Sequence, residues 1–268
     1  MVEPIERRGR SMEQHLLFDL DDTLIHCNRF FNEARDEFFA AMADFFRDFP
    51  LDLRMVDETQ HNIDLSGIVQ HGLGKDRFPE SLVATYRLMC DKHGKKPSER
   101  EEKELLSIGY GVYVKPVEMY PHAHETLLNL KNEGHELYLY TGGDQEIQTS
   151  KVLRAGLDDI FPANRRFISE HKNRDVLQNI LTANNLSREH TWMIGNSARN
   201  DIRPALEEGI HAIHLPDKGG WAFDHADLNV PVIGNKFHTL ETIQHVPHVI
   251  KSFVEEVKEK SGSGQKRS

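Results

Sequence analysis

The sequence predicts an α/β fold, a parallel sheet with helices on both faces, interrupted by a helical insertion. Three observations point there. From about residue 135 onward, short apolar runs alternate with helix-period stretches, the order expected of a parallel sheet. A lone apolar run, Leu16-Leu17-Phe18, stands far upstream and ends in the acidic cluster from Asp19 to Asp22. Between the two, from about Cys27 to Pro116, only helix-type patterns occur. A first strand parted from the others by about 90 helical residues is the plan of a core with one insert. A chain of 268 residues accommodates it, at roughly 100–200 residues per domain.

Leu16-Leu17-Phe18 reads as a strand buried on both faces, with its polar residues at the C-terminal end. Phe30, Phe31, Ala34, Phe38, Ala41, Phe45 and Phe49 recur at three and four residues, the stripe of an amphipathic helix, and Pro50 closes it. A further helix is expected over 81–90. Another should follow Pro97, where Ser98 and Glu101 have capping-box spacing. The charge-dense run 95–104 reads as a solvated helix start. Residues 125–132 form a helix ended by Gly134. The expected order then runs strand 135–140, helix 144–157, strand 167–168, helix 174–184, strand 191–194 and helix 202–208, with Pro204 tolerated in its first turn. Strand 211–215 and a helical region over 239–257, broken near Pro247, complete it. The domain plan is an N-terminal arm (1–12), a discontinuous core (13–26 and 117–258), a helical insert (27–116) and a flexible tail (259–268).

Lys and Arg number 33 and Asp and Glu 43, a net charge of −10. With no long basic block, the chain is a poor polyanion binder, so no nucleic-acid partner is expected. No apolar run approaches the ~18 residues of a membrane span. Arg7, Arg8 and Arg10 precede no apolar stretch, so the N-terminus does not read as a secretory signal. Cys27 and Cys90 lack metal-type spacing and fit free thiols in a reducing compartment. A soluble, cytoplasmic protein is expected.

In open α/β sheets, ligands bind beyond the carboxyl ends of the strands. The polar residues there are Asp19 and Asp21 after the first strand and Thr141-Gly142-Gly143 after the second. Lys172 precedes a helix, and Gly195-Asn196-Ser197 with Asn200-Asp201 follows the fourth strand. Carboxylates, a hydroxyl, backbone N–H groups, an amide and one ammonium suit a divalent cation and a phosphoryl group.

Asp19-Leu-Asp-Asp-Thr-Leu24 after an apolar strand resembles the Asp-x-Asp-x-Thr signature of the haloacid dehalogenase-like (HAD) phosphohydrolases. Thr141 resembles the family's second motif, Lys172 its third, and Gly195-Asn196-Ser197-x-x-Asn200-Asp201 its fourth, in the family's order. The match spans about 13–26 and 117–249, and the insert resembles the helical cap of the C1 subclass. The resemblance implies a Rossmann-like core with an inserted α-helical cap domain. It implies Asp19 as the nucleophile that forms an aspartyl-phosphate, and Asp21 as general acid and then base. Thr141 and the Gly142 N–H would hold phosphate oxygens, and Lys172 would offset the charge. The implied cofactor is Mg²⁺, held by Asp19, the backbone carbonyl of Asp21, Asn196 and Asp201.

The fourth motif usually opens Gly-Asp; here Asn196 removes one negative charge, which predicts a functional but weaker Mg²⁺ site. The expected function is a Mg²⁺-dependent phosphomonoester hydrolase acting on a small phosphorylated metabolite. A phosphomutase of the same family and a weakly active, regulatory phosphate binder are the alternatives. Asp21 argues against a dehalogenase, which uses one nucleophilic Asp without the second acid. Lys151 competes with Lys172 for the motif role. Asp22 reads as a local brace and Cys27 as a packing thiol. Arg29, Arg35, Lys75 and Arg77 are candidate substrate readers in the insert.

Overall fold

The computed structural model describes residues 13–217, 220–228, 230 and 234–264; the expected N-terminal arm lies outside them. In chain order the first elements are β1 (His15–Phe18), α1 (Asn28–Phe45), α2 (Leu53–His71), α3 (Arg77–His93), α4 (Glu99–Gly111), α5 (Ala123–Asn132), β2 (Glu136–Gly142) and α6 (Gln145–Arg154). β3 (Arg166–Ser169), α7 (Arg174–Ala183), β4 (Thr191–Gly195), α8 (Arg203–Glu207), β5 (His211–His214), β6 (Phe237–Thr239) and α9 (Val246–Gly264) follow. The strands form one parallel sheet in the order β3-β2-β1-β4-β5-β6.

Period-two alternation divides the strand side chains between two cores. Leu16 and Phe18 of β1, Leu137 and Leu139 of β2, and Trp192 and Ile194 of β4 pack with α5 and α9. Leu17, Tyr138, Tyr140 and Met193 point the other way, into a core with α7 and α8. Leu16, Leu17 and Phe18 are all fully buried, which is why this run carries no polar alternation. α1 to α4 form a cap around a third core that includes Phe38, Met42, Phe46, Val56, Leu82, Tyr86 and Leu105. Each such fully buried Phe, Leu or Met contributes roughly 1.5–3 kcal/mol. The Phe stripe of α1 therefore serves the cap interior: Ala34 and Phe38 are part of that core, and Phe31, Phe45 and Phe49 pack against it.

The chain leaves and re-enters the sheet through two segments that pair with each other. His26 N–H donates to Glu118 O (2.9 Å) and Tyr120 N–H to Leu24 O (2.9 Å). A second contact closes the cap onto the core. Leu73 N–H donates to Glu170 O (2.8 Å), and a Cβ on Gly72 (φ 83°) would come within 2.8 Å of that same oxygen.

Four local expectations differ from the structure. The capping box at Ser98 does not form: Ser98 makes no side-chain cap, and Glu101 instead binds Lys95 and the Tyr86 hydroxyl, whose oxygen takes the Ser98 N–H (2.9 Å). The helical region expected over 239–257 starts later: Thr239 ends β6, 240–242 are not helical, a 3-10 turn occupies Ile243–His245, and α9 begins at Val246. The region does divide near Pro247, which sits in the first turn of α9 where its missing N–H costs nothing. α9 runs to Gly264, so 259–264 are helical where a flexible tail was expected. A Lys260–Glu256 ion pair (2.6 Å) and a Ser261 hydroxyl bond to Val257 O (2.9 Å) extend it; 265–268 lie outside the described residues. β6 was not anticipated, since three residues with exposed His238 and Thr239 carry no readable period.

Candidate active site

Sheet register assembles the site. Phe18 lies opposite both Leu139 and Ile194, so Asp19, Thr141-Gly142 and Asn196 emerge together at the carboxyl edge of β1, β2 and β4. A cavity of about 640 Å³ opens there, between this edge and the cap, and all the sequence-predicted catalytic, phosphate-holding and metal-holding residues line it.

Asp19 is buried, at 6% exposure. Lys172, equally buried, donates to Asp19 Oδ1 at 2.6 Å and also pairs with Asp201. Burial raises the Asp19 carboxyl to about 7, against the pull of Lys172. Burial opposes the Lys172 ammonium, yet the two carboxylates together hold its pKa above the ordinary lysine value. Asp201 is fixed on its other side as well, since its Oδ2 accepts the Ser197 N–H (2.9 Å). Gly195 is required by this packing, because a methyl there would overlap the Asp201 carboxylate.

Asp21 sits in a separate grip. Lys151 Nζ lies 2.7 and 2.8 Å from its two oxygens, and Gln148 Nε2 donates to Oδ2 at 3.0 Å. Gln148 Nε2 also reaches the Thr141 hydroxyl (2.7 Å), linking the first two motifs through α6. Both lysines therefore reach the site, Lys172 on Asp19 and Lys151 on Asp21. Asp22, at φ 57°, accepts the N–H groups of Cys27 (2.9 Å) and Asn28 (3.0 Å) and so braces the start of α1. The Cys27 thiol is buried, with its pKa pushed well up by burial.

Among the described residues, no group of three or more His, Cys, Asp or Glu side chains is arranged to hold a metal. The donor set at the strand ends is mixed instead. The Thr23 hydroxyl accepts the Asn196 N–H (3.0 Å) and lies 2.9 Å from Asp19 Oδ2 and 3.2 Å from Asn196 Oδ1. Its single proton can serve only one of those two oxygens. The other is left as a free acceptor, and a hard cation that keeps several waters suits such an oxygen pair. Asp201, with both oxygens engaged, is the less available of the acids.

The cap wall contains Arg35, Lys75 and Arg77, three of the four candidate substrate readers, each paired there with a carboxylate. Arg29 is elsewhere, paired with Glu118 (2.5 Å) at the cap–core junction. Sequence reasoning missed Gln148, Asp64 and Asp224, all on the cavity wall. Gln148 and Lys151, three residues apart on one face of α6, were the available signal for the first of these.

A model of the haloacid dehalogenase-like hydrolases matches residues 14–209. The chain belongs to that family. Among curated relatives, a glyceraldehyde 3-phosphate phosphatase of Methanocaldococcus jannaschii is 26% identical over 211 residues, 76% of this chain and 85% of its own. A phosphatase of the same name from Pyrococcus furiosus is 27% identical over 204 residues, 74% of this chain and 78% of its own. A haloacid dehalogenase-like hydrolase of Xanthomonas campestris superposes with a TM-score of 0.71 at 21% identity, covering 92% of this chain and 98% of its own. The L-2-haloacid dehalogenase of Xanthobacter autotrophicus also shares the fold, with a TM-score of 0.54 at 13% identity, covering 89% of this chain and 98% of its own. One HAD fold thus serves different chemistries, and the site must choose between them. No helix among the described residues is long and apolar enough to cross a membrane.

Proposed function

We propose that this HAD-family hydrolase is a Mg²⁺-dependent phosphomonoesterase acting on a small phosphorylated metabolite through an aspartyl-phosphate. The observation that carries the reading is the pairing of two acids in different grips: Asp19 against Lys172, and Asp21 against Lys151 and Gln148. A dehalogenase has no use for the second acid. The curated relatives named as phosphatases support the same class.

In this reading Asp19 attacks phosphorus in line, and Asp21 gives a proton to the leaving oxygen, then takes one from the attacking water. Gln148 and Lys151 fix where the Asp21 carboxyl points. Lys172 offsets the charge of Asp19 and the phosphoryl oxygens, while Thr141 and the Gly142 N–H orient those oxygens. Asp19, Asn196 and the Asp21 carbonyl would hold Mg²⁺, which supplies further charge neutralisation when bound. Asp201 would act from behind, by fixing Lys172. The cap, closed on Glu170 through Leu73, would exclude bulk water. The two free, buried thiols support a reducing, cytoplasmic setting.

The test is phosphate release from a broad panel of phosphomonoesters, with and without Mg²⁺. Metal-dependent release that disappears in Asp19→Asn is expected. No turnover anywhere on the panel would favour the regulatory alternative that Asn196 raises, and phosphoryl transfer within sugar phosphates without release would favour a mutase.

A further inference from the structure

Asn196 leaves the carboxyl edge of the sheet one acid short, and a carboxylate from a separate segment shares the same cavity. β5 lies next to β4, with His214 opposite Gly195, so the chain leaving β5 starts beside the fourth motif. It returns to the cavity in a short turn, Ala222–Asp224. Trp221 and Asp224 form part of the wall, together with Asp19, Asn196 and Asp201.

The turn is tied to the motif itself. Arg199 donates from Nε to Phe223 O (2.7 Å), and its guanidinium lies over the Phe223 ring, 4.7 Å from the centroid. Asp224 N–H closes the turn on Trp221 O (2.9 Å). Asp224 is thereby placed on the motif side of the cavity and half-buried.

A charge count shows what this acid brings. Asp21 is matched by Lys151, and Asp22 faces the start of α1, whose N–H groups it accepts. Lys172 is left to serve both Asp19 and Asp201. Asp224 forms no ion pair among the described residues. Burial and the neighbouring Asp19 oppose its charge, eased by the Ser197 side chain, Lys172 and His225. Asp19, Asp201 and Asp224 therefore face the one Lys172 ammonium, a surplus of two negative charges. A divalent cation cancels that surplus, and without Asp224 half of the surplus would be missing.

The uncharged donors suit the same ion. Either Asp19 Oδ2 or Asn196 Oδ1 is free of the Thr23 proton, and Mg²⁺ takes one or two carboxylates and completes its shell with waters. Because the ion keeps those waters, an acid on the cavity wall serves it without displacing them.

We propose that Asp224, from the turn after β5, supplies the second carboxylate of the Mg²⁺ site and takes over from the acid that Asn196 replaces. The inference rests on the Mg²⁺-dependent reading above. It goes beyond that reading by moving the acid from the fourth motif to a different loop.

The experiment is calorimetric titration with MgCl₂, without substrate, of wild type, Asp224→Asn, Asn196→Asp, the double variant and Glu146→Gln. Losing a unit charge beside a divalent ion costs about tenfold in affinity, so Asp224→Asn should raise the Kd for Mg²⁺ by about that factor or more. Adding Asn196→Asp to Asp224→Asn should return the Kd to within about threefold of wild type, which also shows that the variant folds. Glu146→Gln removes an exposed acid from the start of α6, outside the cavity, and should stay within about twofold. The Mg²⁺ concentration for half-maximal phosphate release from an aryl phosphate should shift in the same order. Unchanged affinity in Asp224→Asn, no recovery in the double variant, or an equal loss in Glu146→Gln would overturn the assignment of Asp224 while leaving the phosphatase reading intact. A wild type that neither binds Mg²⁺ nor needs it for phosphate release would overturn both.

Discussion

Replacing Gly195 by Ala probes the brace behind Lys172. The added methyl would fall on the Asp201 carboxylate and within 2.9 Å even of its Cβ. Asp201 is 1% exposed and held on both sides, by Ser197 N–H and by Lys172, so it has nowhere to retreat. Overpacking of this kind costs about 1–3 kcal/mol. Losing the hydrogen bond from Ser197 to a charged acceptor adds about 1.5–3 kcal/mol. The sum, roughly 3–5 kcal/mol, corresponds to a fall in melting temperature on the order of 10 °C. Scanning calorimetry of wild type and variant measures it, and turnover should fall too as Lys172 loses its orientation. In an Asp201→Gly background the overlapping atoms are gone, and the same methyl should cost less than about 1 kcal/mol. A variant that melts within about 2 °C of wild type, or equal costs in the two backgrounds, would refute the reasoning.

Glu208 offers a pH test. Burial works to raise its carboxyl, but Arg174 and Arg188, each at 2.7 Å, bring it below its ordinary 4.5. A depressed folded pKa stabilises above the ordinary value and stops doing so as pH falls through the folded one. Glu208→Gln should therefore lower stability by about 2–3 kcal/mol at pH 7, and the difference should shrink in melts at pH 4 and below. Asp64 has the opposite sign, since burial raises its carboxyl to about 6. Its carboxylate costs stability above pH 6, so Asp64→Asn should stabilise by on the order of 1–2 kcal/mol at pH 7.5, after discounting for partial exposure, and by nothing near pH 4. Asn196→Asp should restore a negative charge beside Asp19 and tighten Mg²⁺, read by calorimetric titration; an unchanged or weaker affinity would show that Asn196 does not face the cation.

The elements that the sequence announced are those whose burial is local. Leu16-Leu17-Phe18 is continuously apolar because both faces of β1 are covered, and the Phe stripe of α1 reports its own cap core. β6 pairs only at the sheet edge and leaves no such mark. The same logic applies to the site. Asp19, Thr141, Lys172 and Asn196 could be pooled in advance because parallel strands deliver their carboxyl ends to one edge. Gln148 and Lys151 reach that edge from the side, and their contact with Asp21 depends on how α6 lies on the sheet. Asp64 was further out of reach. It meets the cavity only because Leu73 docks on Glu170 and sets the cap over the core, a contact between chain segments almost a hundred residues apart.

The most direct measurement is a rapid quench of the Mg²⁺-loaded protein with a phosphomonoester radiolabelled on phosphorus, followed by peptide mapping. Asp19 as nucleophile predicts label retained on the peptide containing Asp19 under acid, discharged by hydroxylamine, and absent from Asp19→Asn. Turnover with no label on that peptide at any quench time, together with undiminished activity in Asp19→Asn, would contradict it.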